Sequence, residues 1–132
     1  MQFPALTSGY AAVLALIFVA LSGWVIAGRG QFRVNLGDGG QADMNRRIRA
    51  HGNFAEYVPL VLLLTALLET SGTSRPTIHV LLLTLVVARI LHPIGLVAPE
   101  ASLQQYVCRG GSAVATLLVL LIAGMLLLVR VI

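Results

Sequence analysis

The chain has 132 residues, of which 58% are hydrophobic and only 11% are charged, with a formal net charge of +4 at pH 7. Soluble domains average about 45–50% apolar and about 25% charged residues, so these few charges cannot cover a water-soluble domain. The composition therefore predicts an all-α membrane protein, a single domain over residues 1–132 with four transmembrane helices.

The placement of the basic residues argues against a nucleic-acid partner. All nine are arginines, and five of them lie between the first two apolar segments: Arg29, Arg33, Arg46, Arg47 and Arg49. A short arginine-rich loop between apolar spans is typical of the cytoplasmic side of a membrane. We therefore expect a multi-pass protein with the first and third loops inside and both termini outside. In a bacterium, the membrane would be the inner membrane.

The first and last apolar segments are long enough to cross the bilayer unaided. No charge appears from Phe3 to Gly28 or from Gly110 to Val129, and a transmembrane helix needs about 20 apolar residues. The first segment lacks the basic start and short core of a signal peptide, so we expect it to be retained. The predicted helices cover about residues 4–28 and 107–131.

The second and third segments have shorter uncharged runs, twelve residues between Glu56 and Glu69 and thirteen between Arg75 and Arg89. Each can span only if it carries an ionisable residue into or near the membrane, where a charge costs at least about 2.5–3.5 kcal/mol at mid-bilayer. We therefore predict that these two helices are inner helices, shielded from lipid by the other two.

Turn residues separate the predicted second and third helices, which cover about residues 44–70 and 76–97. Asp43 can cap the start of the second helix. Pro93, Gly95 and Pro99 are expected to end or kink the third helix. The tight break between the two helices makes them antiparallel neighbours.

The second helix begins with a polar stripe. Arg46, Arg49, Asn53 and Glu56 are spaced three, four and three residues apart, so they share one face. One interpretation is a ladder of arginines that reach for the headgroups and pair internally. That interpretation explains Asn53 and Glu56 poorly because they lie deeper, so the stripe favours a site. Tyr57 borders it, either as a hydrogen-bond donor or as an interfacial aromatic residue.

The predicted topology brings further cations toward this stripe. The third helix returns to the inner side, and the fourth helix starts there, which places five side chains around one cytoplasmic-facing pocket: Arg49, Asn53, Glu56, Arg89 and Arg109. Such a pocket suits a ligand with several carboxylates and one ammonium group, because arginine binds carboxylates bidentately and keeps its charge. Alternatively, Arg89 is a purely structural partner of Glu56.

No metal site is expected. His79 lies toward the opposite side of the membrane from the other histidines, and the single cysteine, Cys108, has no metal-binding spacing around it. A small apolar role near a helix start is the simpler interpretation of Cys108.

One stretch of the second helix, Arg49 to Pro59, resembles the MAPEG family, the membrane-associated proteins of eicosanoid and glutathione metabolism. The family pattern Arg-Ala-x-x-Asn-x-x-Glu-Tyr/Asn-x-Pro is matched closely here. The resemblance extends over the whole length, through Ala88 and Arg89 late in the third helix and Arg109 at the start of the fourth. It suggests a bacterial member of the family.

The resemblance implies a homotrimer of four-helix subunits that binds glutathione at each subunit interface near the cytoplasmic side. The residues that match the family's glutathione contacts are Arg49, Asn53, Glu56 and Tyr57. Arg29 lies in a region where enzymes of the family carry an arginine. Arg109 aligns with the arginine that stabilises the glutathione thiolate in catalytic members.

The activity implied by the resemblance is that of a membrane-bound glutathione transferase or peroxidase. Its second substrate would be a hydrophobic electrophile or a lipid hydroperoxide from the membrane lipid, and no metal is implied. The chain departs from catalytic members at His92 and Leu96, where they often have tyrosines. Because the family also contains non-enzymatic members, the alternative is a non-catalytic protein that binds a lipid or serves as an accessory partner.

Overall fold

The structure, a computed structural model, describes residues 3–131, and four long helices account for most of this part of the chain. The first three cover Ala5–Phe32, Ala42–Thr70 and Arg75–Val97. The fourth helix consists of an α-helical turn, a π-helical turn and a long α-helix, which cover Leu103–Gln105, Tyr106–Gly111 and Ser112–Val131. All four are long and apolar enough to cross a membrane, and residues 3–131 contain no strand. The predicted all-α fold with four spans is therefore confirmed.

The first helix continues four residues beyond the predicted end at Gly28. The uncharged run ends there, but a helix that leaves the bilayer can continue into water. It stops at Phe32 because Arg33 adopts a left-handed conformation with a φ of 54°, a common way to end a helix. Arg29 stabilises this end, because its Nη1 donates to the carbonyl oxygen of Asn35 at 2.9 Å.

The first loop is held by Asp38. Its carboxylate accepts hydrogen bonds from Asn45 Nδ2 at 2.7 Å and from the Gly40 N–H at 2.9 Å. These two bonds hold the pKa of the Asp38 carboxyl below its ordinary value, and the bond from Asn45 has the larger effect. The predicted cap at Asp43 is not formed: Asp43 lies in the first turn of the second helix and pairs with Arg46 at 2.9 Å.

Glu69 joins the end of the second helix to the start of the first. Its Oε1 accepts from the Leu6 N–H at 2.9 Å, and its Oε2 accepts from the Thr7 N–H at 2.8 Å and from Thr7 Oγ1 at 2.7 Å. The first N–H groups of a helix have no partner within the helix and carry a partial positive charge. Glu69 therefore caps the first helix, a role that the sequence did not reveal.

The third helix is the most buried of the four, as predicted from its charge. It contributes Ile78, Leu82 and Leu85 to the core, all fully buried. The second helix is less shielded than predicted. Its inner face packs through Phe54, Val58, Val61 and Leu68, while Leu60, Leu63 and Leu67 remain exposed in the single chain.

Candidate functional site

A polar pocket of about 450 Å³ opens at the end of the bundle where the second helix begins. The second and third helices, the connection after the third helix and the first turns of the fourth helix all contribute to its wall. The lining residues are Asn45, Arg46, Arg49, Asn53, His92, Leu96, Glu100, Gln105, Arg109, Gly110 and Ala113. The structure thus brings together three of the predicted site residues, Arg49, Asn53 and Arg109.

The charges around this pocket are mainly positive. Of its three arginines, Arg46 is partly neutralised, since it pairs with Asp43 at 2.9 Å and lies 3.9 Å from the carboxylate of Glu100. Arg49 and Arg109 form no ion pair with any residue from 3 to 131. An anionic ligand would therefore find two uncompensated guanidinium groups, with one carboxylate beside them for a cationic group.

Arg109 owes its position to a close approach between the third and fourth helices. A Cβ atom on Gly95 would lie 2.3 Å from the backbone nitrogen of Arg109 and 2.7 Å from the carbonyl carbon of Cys108. Only glycine therefore permits this contact. The third helix passes through Pro93 and Gly95 and ends at Val97, two residues before Pro99.

The π-helical turn that carries Arg109 is held by side chains of its neighbours. Ser112 Oγ donates to the carbonyl oxygens of Cys108 and of Arg109, the latter at 3.1 Å. His92 Nδ1 lies 3.2 Å from Ser112 Oγ. Single π-helical turns inside α-helices are frequent at functional sites. Here the turn presents Arg109 to the pocket while its carbonyl groups stay partnered.

Arg89 lies next to the pocket, fully inside the bundle, with 2% of its surface exposed. Its Nη1 donates to Asn53 Oδ1 at 2.5 Å and to the Asn53 carbonyl oxygen at 3.4 Å. Its Nη2 donates to Thr116 Oγ1 at 2.5 Å. Arg89 thus ties the third helix to the second and the fourth through neutral acceptors. The predicted pair with Glu56 is not formed within residues 3–131.

A model of the MAPEG family matches residues 7–129 of the chain. The chain belongs to the MAPEG family. Inner membrane protein YecN of Escherichia coli K12 is 35% identical over 86 residues, which cover 65% of this MAPEG chain and 66% of YecN. The protein of the same name from Escherichia coli O6:H1 strain CFT073 matches to the same extent. No solved structure matches significantly. This MAPEG chain is thus a bacterial member of the family, similar to a protein of the inner membrane.

The residues of the family pattern on the second helix do not all lie at the polar pocket in the folded MAPEG chain. Glu56 is exposed and does not line the polar pocket, and it forms no ion pair or side-chain hydrogen bond within residues 3–131. Tyr57 borders a separate cavity of about 30 Å³ beside Arg89. Arg29 is occupied by the carbonyl groups of the first loop. The structure therefore does not bring these three residues to the pocket of a single subunit.

Sequence reasoning assigned no role in the pocket to several residues that shape it. His92 and Gly95 follow Arg89 at intervals of three residues, so all three share one face of the third helix. That spacing, and the place of His92 where catalytic members often have a tyrosine, were the available signals for His92. No comparable signal pointed to Glu100 or Gln105, because their place in the pocket wall depends on the path of the connection after the third helix.

Proposed function

We propose that this MAPEG protein is a membrane-bound glutathione transferase or peroxidase that acts on hydrophobic electrophiles or lipid hydroperoxides. The observation that carries the proposal is the pocket that Arg46, Arg49 and Arg109 line together. Glutathione has carboxylates toward both ends of a short peptide and one ammonium group. Arginines suit the carboxylates, and Glu100, at the rim of the same pocket, suits the ammonium.

The proposed role of Arg109 is to stabilise the thiolate. A free thiol has a pKa of about 8.5 and is mostly protonated at neutral pH, and a fixed cation nearby favours the thiolate. Arginine keeps its charge and so does not accept the proton, which passes to solvent. The thiolate then forms a bond from sulfur to the electrophilic carbon, and the leaving group departs with its electron pair. In the peroxidase reaction the thiolate sulfur bonds to the terminal peroxide oxygen while the O–O bond breaks, and the alkoxide leaves and takes a proton from solvent to become the lipid alcohol. The glutathione sulfenic acid formed in this way is reduced by a second glutathione, which gives glutathione disulfide and water.

We further propose a homotrimer, with the second helix toward the threefold axis and both termini outside the cell. Glu56 supports the assembly because it lies exposed on a helix long and apolar enough to span the membrane and has no ion-pair partner among residues 3–131 of its own subunit. A charge facing lipid costs at least about 2.5–3.5 kcal/mol at mid-bilayer, and a neighbouring subunit would remove that exposure. Mass measurement in mild detergent tests this assembly, and a protein that is only monomeric would contradict it.

A glutathione titration of the detergent-purified protein tests the function. We compare the wild type with Arg49→Gln and Arg109→Gln, and use Arg33→Gln, a loop arginine away from the pocket, as the control for net charge. Arg49→Gln should lower affinity by roughly tenfold to a hundredfold, since a hydrogen bond to a charged group contributes about 1.5–3 kcal/mol. Arg33→Gln should bind as the wild type does.

Arg109→Gln should behave differently because its proposed partner is the sulfur. Binding should largely persist, while the pKa of the bound thiol rises toward about 8.5. The ultraviolet absorbance of the thiolate, followed against pH, measures that change. If the wild type binds no glutathione at millimolar concentration, the enzyme proposal fails, and a non-catalytic lipid-binding protein becomes the better interpretation of the arginines.

A further inference from the structure

Asn53 stands in the wall between two cavities. On one side is the polar pocket, and on the other is the small cavity of about 30 Å³ that Tyr57, Arg89 and Thr116 also line. Both cavities include Asn53 and Ala113. The side-chain amide of Asn53 therefore has one face toward Arg89 and another toward the place where a ligand would bind.

Arg89 determines which end of that amide faces which cavity. A guanidinium group has donors and no acceptor, so the atom that Arg89 Nη1 contacts at 2.5 Å must be the amide oxygen, Oδ1. A second bond, from the same Nη1 to the Asn53 carbonyl oxygen at 3.4 Å, holds the residue from its backbone as well. The side-chain nitrogen, Nδ2, forms no hydrogen bond with any residue from 3 to 131, and Asn53 also lines the polar pocket.

Thr116 fixes the guanidinium in turn. Its Oγ1 accepts from Arg89 Nη2 at 2.5 Å and donates to the Ser112 carbonyl oxygen at 2.8 Å. A series of hydrogen bonds thus crosses the fourth, third and second helices and links Ser112, Thr116, Arg89 and Asn53 in that order. The direction of each bond is defined. The series ends at a donor, the Asn53 amide nitrogen, at the wall of the pocket.

We propose that Arg89 is a positioning residue that fixes the Asn53 amide with its Nδ2 donor toward the pocket, so that the site selects a ligand with a carboxylate or other anionic acceptor at this point. The glutathione part of this inference rests on the function proposed above.

A double-mutant cycle tests whether Arg89 acts through Asn53. Glutathione affinity is measured for the wild type, Arg89→Met, Asn53→Ala and the double variant. Arg89→Met should lower affinity about tenfold when Asn53 is present and less than about twofold when Asn53 is already alanine. Equal losses in the two backgrounds would mean that Arg89 affects binding only through the general structure, which overturns the proposal.

Asn53→Asp provides a second test that keeps Arg89 in place. Its carboxylate can pair with Arg89, so thermal unfolding should occur at the wild-type temperature or above. The pocket then receives an acceptor instead of a donor, and glutathione affinity should fall at least about tenfold. A variant that binds glutathione as tightly as the wild type would show that the donor at this point does not select the ligand.

Inorganic sulfate as a second probe separates this inference from the glutathione function. If the cycle shows coupling with sulfate in a protein that does not bind glutathione, only the glutathione proposal fails. If the protein binds either probe without coupling between Arg89 and Asn53, the positioning role fails. A wild-type protein that binds neither probe overturns both.

Discussion

Replacement of Gly95 by alanine tests whether the contact between the third and fourth helices positions Arg109. The added Cβ would lie 2.3, 2.7 and 2.8 Å from the Arg109 nitrogen, the Cys108 carbonyl carbon and the Arg109 Cα. All three are backbone atoms, so no side-chain rotation can relieve the overlap. Ordinary contact begins at 3.4 Å, and the two backbones must therefore separate by about 1 Å, since atoms this close repel strongly.

The expected loss of stability follows from that displacement. Overpacking of a close contact costs about 1–3 kcal/mol, which should appear as a lower unfolding temperature in detergent. Gly111→Ala is the matched control, because it lies in the same π-helical turn and its Cβ would meet nothing within 4 Å. Alanine is the better helix former, so Gly111→Ala should unfold at the wild-type temperature or above.

The same displacement should reach the proposed chemistry. Arg109 belongs to the turn that must move, and a misplacement of about 1 Å can cost about a hundredfold in rate. Gly95→Ala should therefore reduce the thiolate absorbance of bound glutathione more than it reduces glutathione affinity. If Gly95→Ala has the unfolding temperature and the thiolate absorbance of the wild type, the contact at Gly95 does not position Arg109. The separation of the two helices would then cost neither stability nor thiolate formation.

Two further predictions concern the rest of the chain. Glu69→Gln replaces a carboxylate that accepts three hydrogen bonds from the start of the first helix. It should destabilise the protein by about 1–2 kcal/mol in thermal unfolding. An unchanged unfolding temperature would mean that this cap contributes no stability. A Cys108→Ser background allows single cysteines to be placed in the loop after Arg33. These cysteines should be protected from a membrane-impermeant reagent added to intact cells, because the arginine-rich loop is expected inside. Labelling of this loop from outside would mean that the orientation is reversed.

The sequence was sufficient to predict the helices and the general position of the pocket. Long uncharged runs identified the first and fourth helices, and Arg89 within an apolar segment indicated that the third helix is buried. The three- and four-residue spacing from Arg46 to Asn53 placed polar groups where the second helix meets the pocket. These inferences succeeded because each depends on helical periodicity and on the cost of placing charge in an apolar environment.

The contacts that determine the details of the site were not predictable in this way. The sequence grouped Gly95 with Pro93 and Pro99 as residues that end or kink the third helix, and it gave no sign that Gly95 permits a backbone contact with a residue fourteen positions further along the chain. The choice of Asn53 over Glu56 as the partner of Arg89 was equally hidden. Both belong to the same stripe, and only the packing of the second helix against the third decides which one faces Arg89.

The stripe itself has two edges, and their division bears on the proposed assembly. Residues seven apart lie about 20° from each other around an α-helix, so Arg46 and Asn53 share one edge, while Arg49 and Glu56 share the other. The first pair is partly buried, and the second is exposed. A ligand that Arg46, Asn53 and Arg109 hold can remain within one subunit. A ligand that also reaches Glu56 must extend over the exposed edge, which a second subunit would cover in the proposed trimer. Glu56 can therefore belong to the ligand site only if a second subunit covers the exposed edge, so the oligomeric state determines which residues make up the complete site.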